Sequence, residues 1–157
     1  MNSMLTNVDI AERRLHNQRL AATVHTQPQS VVQELGAMQA LDYAGAKWAV
    51  AQRAQGLTDV ALDQALADGT ILRTHVLRPT WHFVAPADIR WMLELTAPRV
   101  TAFNAYYYRK CGLDAAVFQK SNATLTEALR GGKQLTRPEL ATASVFTPSA
   151  NERSRLR

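Results

Sequence analysis

Residues 71–84 read ILRTHVLRPTWHFV, and this stretch decides the fold class. Its β-branched and aromatic residues favour extended backbone, whereas Pro79 has no N–H to give to a ladder and marks an edge strand, a bulge or a hairpin turn. A short β-hairpin is predicted here. Period-two alternation places Arg78, Thr80 and His82 on one face and Pro79, Trp81 and Phe83 on the other. The first face is polar and basic, and the second suits a core.

Upstream the pattern is helical. Residues 9–24 carry Ile10, Leu15, Leu20 and Val24 at loose helical spacing, with Asp9 as the N-cap. Ser30 and Gln33 have capping-box spacing and predict a second helix with Val31, Leu35 and Met38 on one face. A third helix over 43–55 packs through Ala46, Val50 and Trp48 before Gly56 stops it. Thr58 then caps a fourth, with Val60, Leu62, Ala65 and Leu66 at helical spacing and Gly69 at its end. Helices followed by a hairpin are the layout of a winged helix, and other small α+β domains share it.

Downstream, Ala85-Pro86-Ala87-Asp88 begins another helix with Ile89, Met92, Leu93 and Leu95, and Pro98 is expected to interrupt or kink it before VTAFNAYYYRK resumes as a connector. Asp114 and Thr124 each open a short helix, over 114–120 and 124–130, and Thr136 with Glu139 forms another capping box. The resulting expectation is a mainly α protein with a short β-hairpin. It places a winged helix-turn-helix unit over 1–100, a connector helix over 101–113, the start of a second winged-helix unit over 114–141, and a loose tail over 142–157.

Composition narrows the function classes. The 157 residues include 18 Lys+Arg against 13 Asp+Glu, a net charge of +5 that favours approach to polyanions, although Arg153, Arg155 and Arg157 supply part of it from the tail. The single cysteine, Cys111, excludes an internal disulfide, and no Cys/His spacing suggests a metal site or a cofactor. No apolar run approaches the roughly 20 residues needed to span a bilayer, and the reading is cytoplasmic.

Two segments resemble the AlkZ-like winged-helix family of DNA glycosylases: LGAMQALDYAGAKWAVAQR at 35–53 and DGTILRTHVLRPTWHFVAPADIRWMLELTAPR at 68–99. Members typically stack several winged helices and a C-terminal β-barrel around DNA, and some hydrolyse the N-glycosidic bond of alkylated or crosslinked bases. The resemblance implies double-stranded DNA as partner and a DNA-repair setting. It also implies that this chain holds the first unit, a connector and part of the second, as a truncated member with impaired or absent catalysis. An active glycosylase and a non-catalytic protein-interaction module are the alternatives.

The family's catalytic signature is a Gln, an apolar residue, then a second Gln or an Asp. Here those positions are Gln39, Ala40 and Leu41, and Leu41 cannot orient a water or stabilise positive charge. Asp42 is the nearest carboxylate, and if both lie on one helical turn their spacing puts Gln39 and Asp42 on one face as a substitute pair. The same residues also fit a helix end and an N-cap. Candidate DNA contacts are Arg78, Thr80 and His82 on the strand, with Arg73, Lys47 and Arg53. The helix from Thr58 occupies the recognition-helix position, yet it carries Asp59, Asp63 and Asp68 and no cation, so base reading by it is not expected. Tyr106, Tyr107 and Tyr108 beside Arg109 and Lys110 either stack on bases or pack the connector helix, and Trp48, Trp81 and Trp91 read as core.

Overall fold

The computed structural model describes residues 5–22 and 24–143. The elements run α1 (Asn7–Asn17), α2 (Pro28–Leu35), β1 (Ala37–Gln39), α3 (Tyr43–Ala51), α4 (Asp59–Ala67), β2 (Leu72–Val76), β3 (Thr80–Val84), α5 (Ile89–Lys110), α6 (Ala115–Ala128) and α7 (Arg137–Ala143). The chain divides into two units, Met1–Ala102 and Phe103–Arg157.

The hairpin stands where the sequence places it, with Leu72 opposite Val84 and Val76 opposite Thr80. Pro79 lies in the turn rather than in a strand, so its missing N–H removes nothing from the ladder. Arg78 therefore also sits in the turn, and it does not share a strand face with Thr80 and His82 as expected. β1 pairs with β3 on the other side, giving an antiparallel sheet of order β1-β3-β2. The expectation of a hairpin alone missed β1. Gly36, at a positive φ of 75°, ends α2 and turns the chain, so Met38 enters the core from a strand instead of a helix.

One sheet face presents Phe83 and Met38 to a core built from Val31 and Val32 of α2, Ala46 and Val50 of α3, Leu62 and Ala65 of α4, and Ile71. Facing the other way, Val76 and Val84 pack on Met92 of α5, with Ala37, Leu72 and Ile89 beside them. The run α2-β1-α3-α4-β2-β3, three helices with a three-stranded sheet, is a winged-helix arrangement. Trp48 at 65% exposure and Trp91 at 49% lie outside this core, contrary to expectation. Trp91 is instead tied through its indole N–H to Asp88, at 2.8 Å.

Several helix ends differ from their sequence signals. α1 starts two residues before Asp9, because Thr6 is the cap and Asp9 is its N3 partner in a reciprocal capping box. It also ends at Asn17 rather than continuing to residue 24, and Arg19 then adopts a left-handed φ of 57°. Pro28, fixed in φ and lacking the N–H that a first turn leaves unpaired, starts α2 ahead of Ser30. Arg19 and His25 both bond the Glu34 carboxylate, which fastens the segment after α1 to α2.

α5 runs unbroken through Pro98 into the second unit. There Asp114 caps α6 by accepting from the Val117 N–H at 2.9 Å. The two short helices expected over 114–130 are this one, because Thr124 bonds back to the Lys120 carbonyl at 3.0 Å instead of capping a new start. Glu139 accepts from the Thr136 N–H and hydroxyl at the head of α7. Thr142 and Ala143, expected in the tail, belong to that helix; the rest of that stretch, 144–157, lies outside the described residues.

Two measurements check this account. Phe83 is fully buried between sheet and helices, so Phe83→Ala is expected to cost about 3–5 kcal/mol in urea unfolding. A loss under about 1 kcal/mol would move the centre of the core elsewhere. Glu34 is held below the ordinary glutamate range, first by the hydrogen bond from Arg19 and then by that from His25. A depressed carboxyl contributes stability above its unfolded pKa and loses it as the pH falls through the folded one. The melting-temperature gap between the parent and Glu34→Gln is therefore expected to close below about pH 4, and a gap independent of pH would refute the ionic fastening.

Candidate active site and nucleic-acid interface

The site is built on the end of β1. Ala40 donates its N–H to the Trp81 carbonyl at 2.8 Å, which carries the pairing with β3 one residue past Gln39. Pleat alternation then turns Ala40 inward, fully buried, and leaves Gln39 and Leu41 exposed, Leu41 at 65%. Gln39 is thus a strand residue and Asp42 the N-cap of α3, and they do not share a helical turn as expected. They nevertheless line one open hollow of about 550 Å³, together with Leu41, Gly45, Ala46 and Ala49.

Asp42 makes no side-chain capping bond to α3. Its carboxylate lies over Gly45, where an added Cβ would stand 2.5 Å from Oδ2. Gly45 is the residue that sequence reasoning missed, and the signal was a lone glycine inside the helical pattern of 43–51.

Arg73 ties the loop after β1 to the hairpin. Its guanidinium donates to the Ala40 carbonyl through Nε at 3.1 Å and Nη2 at 3.0 Å, and to the Leu41 carbonyl at 3.4 Å. The same group lies 4.4 Å over the Trp81 ring and 5.4 Å from the centre of the Tyr43 ring. Tyr43 meets Phe83 edge-on and donates its hydroxyl to Asp63 at 2.7 Å, a bond that raises the phenol pKa.

The remaining candidates divide sharply. Lys47 is buried, and its ammonium contacts Asp59 at 2.7 Å and Asp63 at 2.8 Å, bonds that raise its own pKa. The acids of α4 thus serve as counter-ions to Lys47. Arg53 donates to the carbonyls of Gln18 and Ala49 and ties α3 to the segment after α1. With Arg73 engaged as described, three of the four cations proposed for DNA have internal bonding roles. Arg78 stands exposed in the turn, with no ion pair or side-chain hydrogen bond among the described residues.

Across the sheet, Gln39 faces His82 and His82 faces Thr74, so the three share a row and a face. His82 donates from Nδ1 to the Thr80 carbonyl at 2.8 Å, which leaves Nε2 as the open ring nitrogen. Among the described residues no cluster of three or more His, Cys, Asp or Glu could hold a metal, and no helix is long and apolar enough to cross a membrane.

A winged helix with a glutamine at the end of its first strand and a carboxylate beside it is the class that this geometry defines. The chain belongs to the AlkZ-like DNA glycosylase family, whose model, described as DNA glycosylase AlkZ-like, matches residues 32–151. Among solved structures it is similar to the Streptomyces sahachiroi DNA glycosylase AlkZ, with a TM-score of 0.72 and 25% identity, over 91% of this chain and 39% of that one. It therefore spans well under half the length of that solved protein. None of the curated proteins matches.

The contact between Asp42 and Gly45 is separable from stability. Gly45→Ala is expected to leave the melting temperature unchanged or raised, since alanine in a helix gains up to about 1 kcal/mol over glycine. A crystal structure of the variant should show the Asp42 carboxylate displaced from α3. An unmoved carboxylate with an unchanged or raised melting temperature would contradict the contact.

Proposed function

We propose that this chain is a DNA-binding winged-helix protein that engages double-stranded DNA through its wing, with Arg78 on phosphate and Thr80 and His82 beside it. The observation that carries this is the division of cations: Lys47, Arg53 and Arg73 satisfy internal groups, while Arg78 stands free at the tip of the hairpin. A cation at such a tip is placed to meet a phosphate without first breaking an internal bond. α4, acidic and committed to Lys47, takes no part in reading bases. Residues 114–141 are the opening of a second winged-helix unit, supported by the succession of α6, a glycine turn and α7. From this reading we infer a cytoplasmic location.

A second reading concerns hydrolysis, and the shared hollow favours it. Cleaving the bond to an alkylated base calls for an oriented water and for stabilisation of an oxocarbenium-like sugar. The Gln39 carboxamide orients the water. Asp42 accepts its proton and faces the developing positive charge, while Leu41 contributes no polar atom. Base release is therefore impaired relative to a site with a second polar side chain at that position, and what remains depends on Asp42.

The test is binding of the purified chain to plain and N7-methylated duplex DNA across salt concentrations, with base release followed in the same samples. Arg78→Ala is expected to weaken binding to both duplexes alike and to reduce the slope of log affinity against log salt by about 0.9 for the one phosphate lost. Unchanged affinity at low salt would remove the wing from the interface. Any release of methylated base is expected to fall about 10²- to 10³-fold in Asp42→Asn, by analogy with losing one preorganised polar group at a reacting centre. Release that persists in that variant would exclude Asp42 from the chemistry.

A further inference from the structure

In the second unit the last turns of α5 turn an aromatic face outward. Phe103, Tyr106, Tyr107 and Lys110 fall at i, i+3, i+4 and i+7, the spacing of a single helical stripe. Phe103 is 79% exposed, Tyr106 61% and Tyr107 60%. The inner side is the other one, where Tyr108 meets Phe118 edge-on with ring centres 5.1 Å apart. Of the three tyrosines expected to pack this helix, only Tyr108 does so. Tyr106 and Tyr107 stand edge to face at 5.5 Å, which holds two rings side by side at the surface.

Charge selects what would cover this stripe. Each carboxylate among the described residues of the unit already has a partner: Asp114 takes the Val117 N–H, Glu127 pairs with Arg130, and Glu139 takes Thr136. Arg109, Lys110, Lys120, Lys133 and Arg137 have no carboxylate partner among the described residues. Exposed rings with Arg109 and Lys110 on the same helix, in a unit whose other cations also lack carboxylate partners, suit a polyanion that offers flat apolar faces between its charges. A polynucleotide with unpaired bases has this chemistry, because its bases are free to stack on aromatic side chains while its phosphates meet lysine and arginine.

We propose that the face formed by Phe103, Tyr106, Tyr107 and Lys110 binds single-stranded nucleic acid. Phe103 and Tyr107, one turn apart, take base faces, and Lys110 with Arg109 takes flanking phosphates. This surface is separate from the wing and does not depend on hydrolysis at Gln39 and Asp42.

The experiment is fluorescence anisotropy of the full chain with a labelled oligothymidine of about 12 nucleotides. Phe103→Ala with Tyr107→Ala is expected to weaken binding by about tenfold or more for the pair, while Tyr107→Phe, which keeps the ring, leaves it intact. Lys110→Gln should reduce the salt slope by about 0.7. Thermal melts check that the variants fold; if the double variant does not, Tyr106→Ala combined with Lys110→Gln carries the same expectation. Absence of binding at low salt, or equal affinity in parent and aromatic variants, would overturn the proposal. So would loss of a dimer in the double variant with oligothymidine affinity unchanged, since the stripe would then cover a second copy of the chain.

Discussion

Arg73 is the interaction on which the rest of the first unit depends. One guanidinium from β2 satisfies the Ala40 carbonyl twice and reaches that of Leu41, and its plane lies against Trp81 and near Tyr43. These carbonyls belong to the loop between β1 and α3, where neither strand nor helix supplies donors. Lysine would not substitute, because an ammonium is a point donor and lacks the planar fork that bonds two carbonyls while stacking on a ring. The clamp thus joins the hairpin to the loop that carries Gln39, Leu41 and Asp42. The loop that lines the hollow is thereby tied to the hairpin by hydrogen bonds.

Lys47 shows how burial reshapes the charge pattern. An ammonium in the core is tolerated only when paired, and here Asp59 and Asp63 of α4 provide two carboxylates while Tyr43 gives its hydroxyl to Asp63. Asp63 is consequently held below the ordinary aspartate range, first by Lys47 and then by Tyr43. The same network commits both acids of α4 to Lys47. What looks in the sequence like a poorly charged recognition helix is a helix whose acids face inward partners.

Much of the architecture was legible in the residues, for reasons that can be named. Pro79 between two β-rich runs, the glycines after each helix and the apolar spacing of Val31, Val50 and Leu62 all act locally, so the hairpin and the helices followed. β1 was not legible, because three residues are too few to show alternation and Met38 happened to fall at helical spacing from Val31 and Leu35. Missing β1 misplaced Gln39, and with it the expected helical pairing to Asp42. The roles of Lys47, Arg53 and Arg73 were hidden for a different reason: a cation's partner lies far along the chain, from 12 residues to Asp59 up to 35 to Gln18. Exposure of Trp48 and Tyr107 was equally invisible, since composition favours burying aromatics and only packing decides which are left out.

The pleat of β1 explains why a signature of polar, apolar, polar residues belongs at this place. Ala40 is buried while Gln39 and Leu41 line the hollow, so the middle position is fixed by the core and the outer two by the hollow. Leucine at 41 is compatible with the fold because its side chain is outside the core and only its carbonyl is held by Arg73. Leucine at this position is therefore accommodated without disturbing the core. Asp42 lies one residue further, beyond the strand, and reaches the same hollow only because α3 begins there and Gly45 leaves room for its carboxylate. A glycine at that position costs the helix stability, and the space it opens is taken up by Asp42.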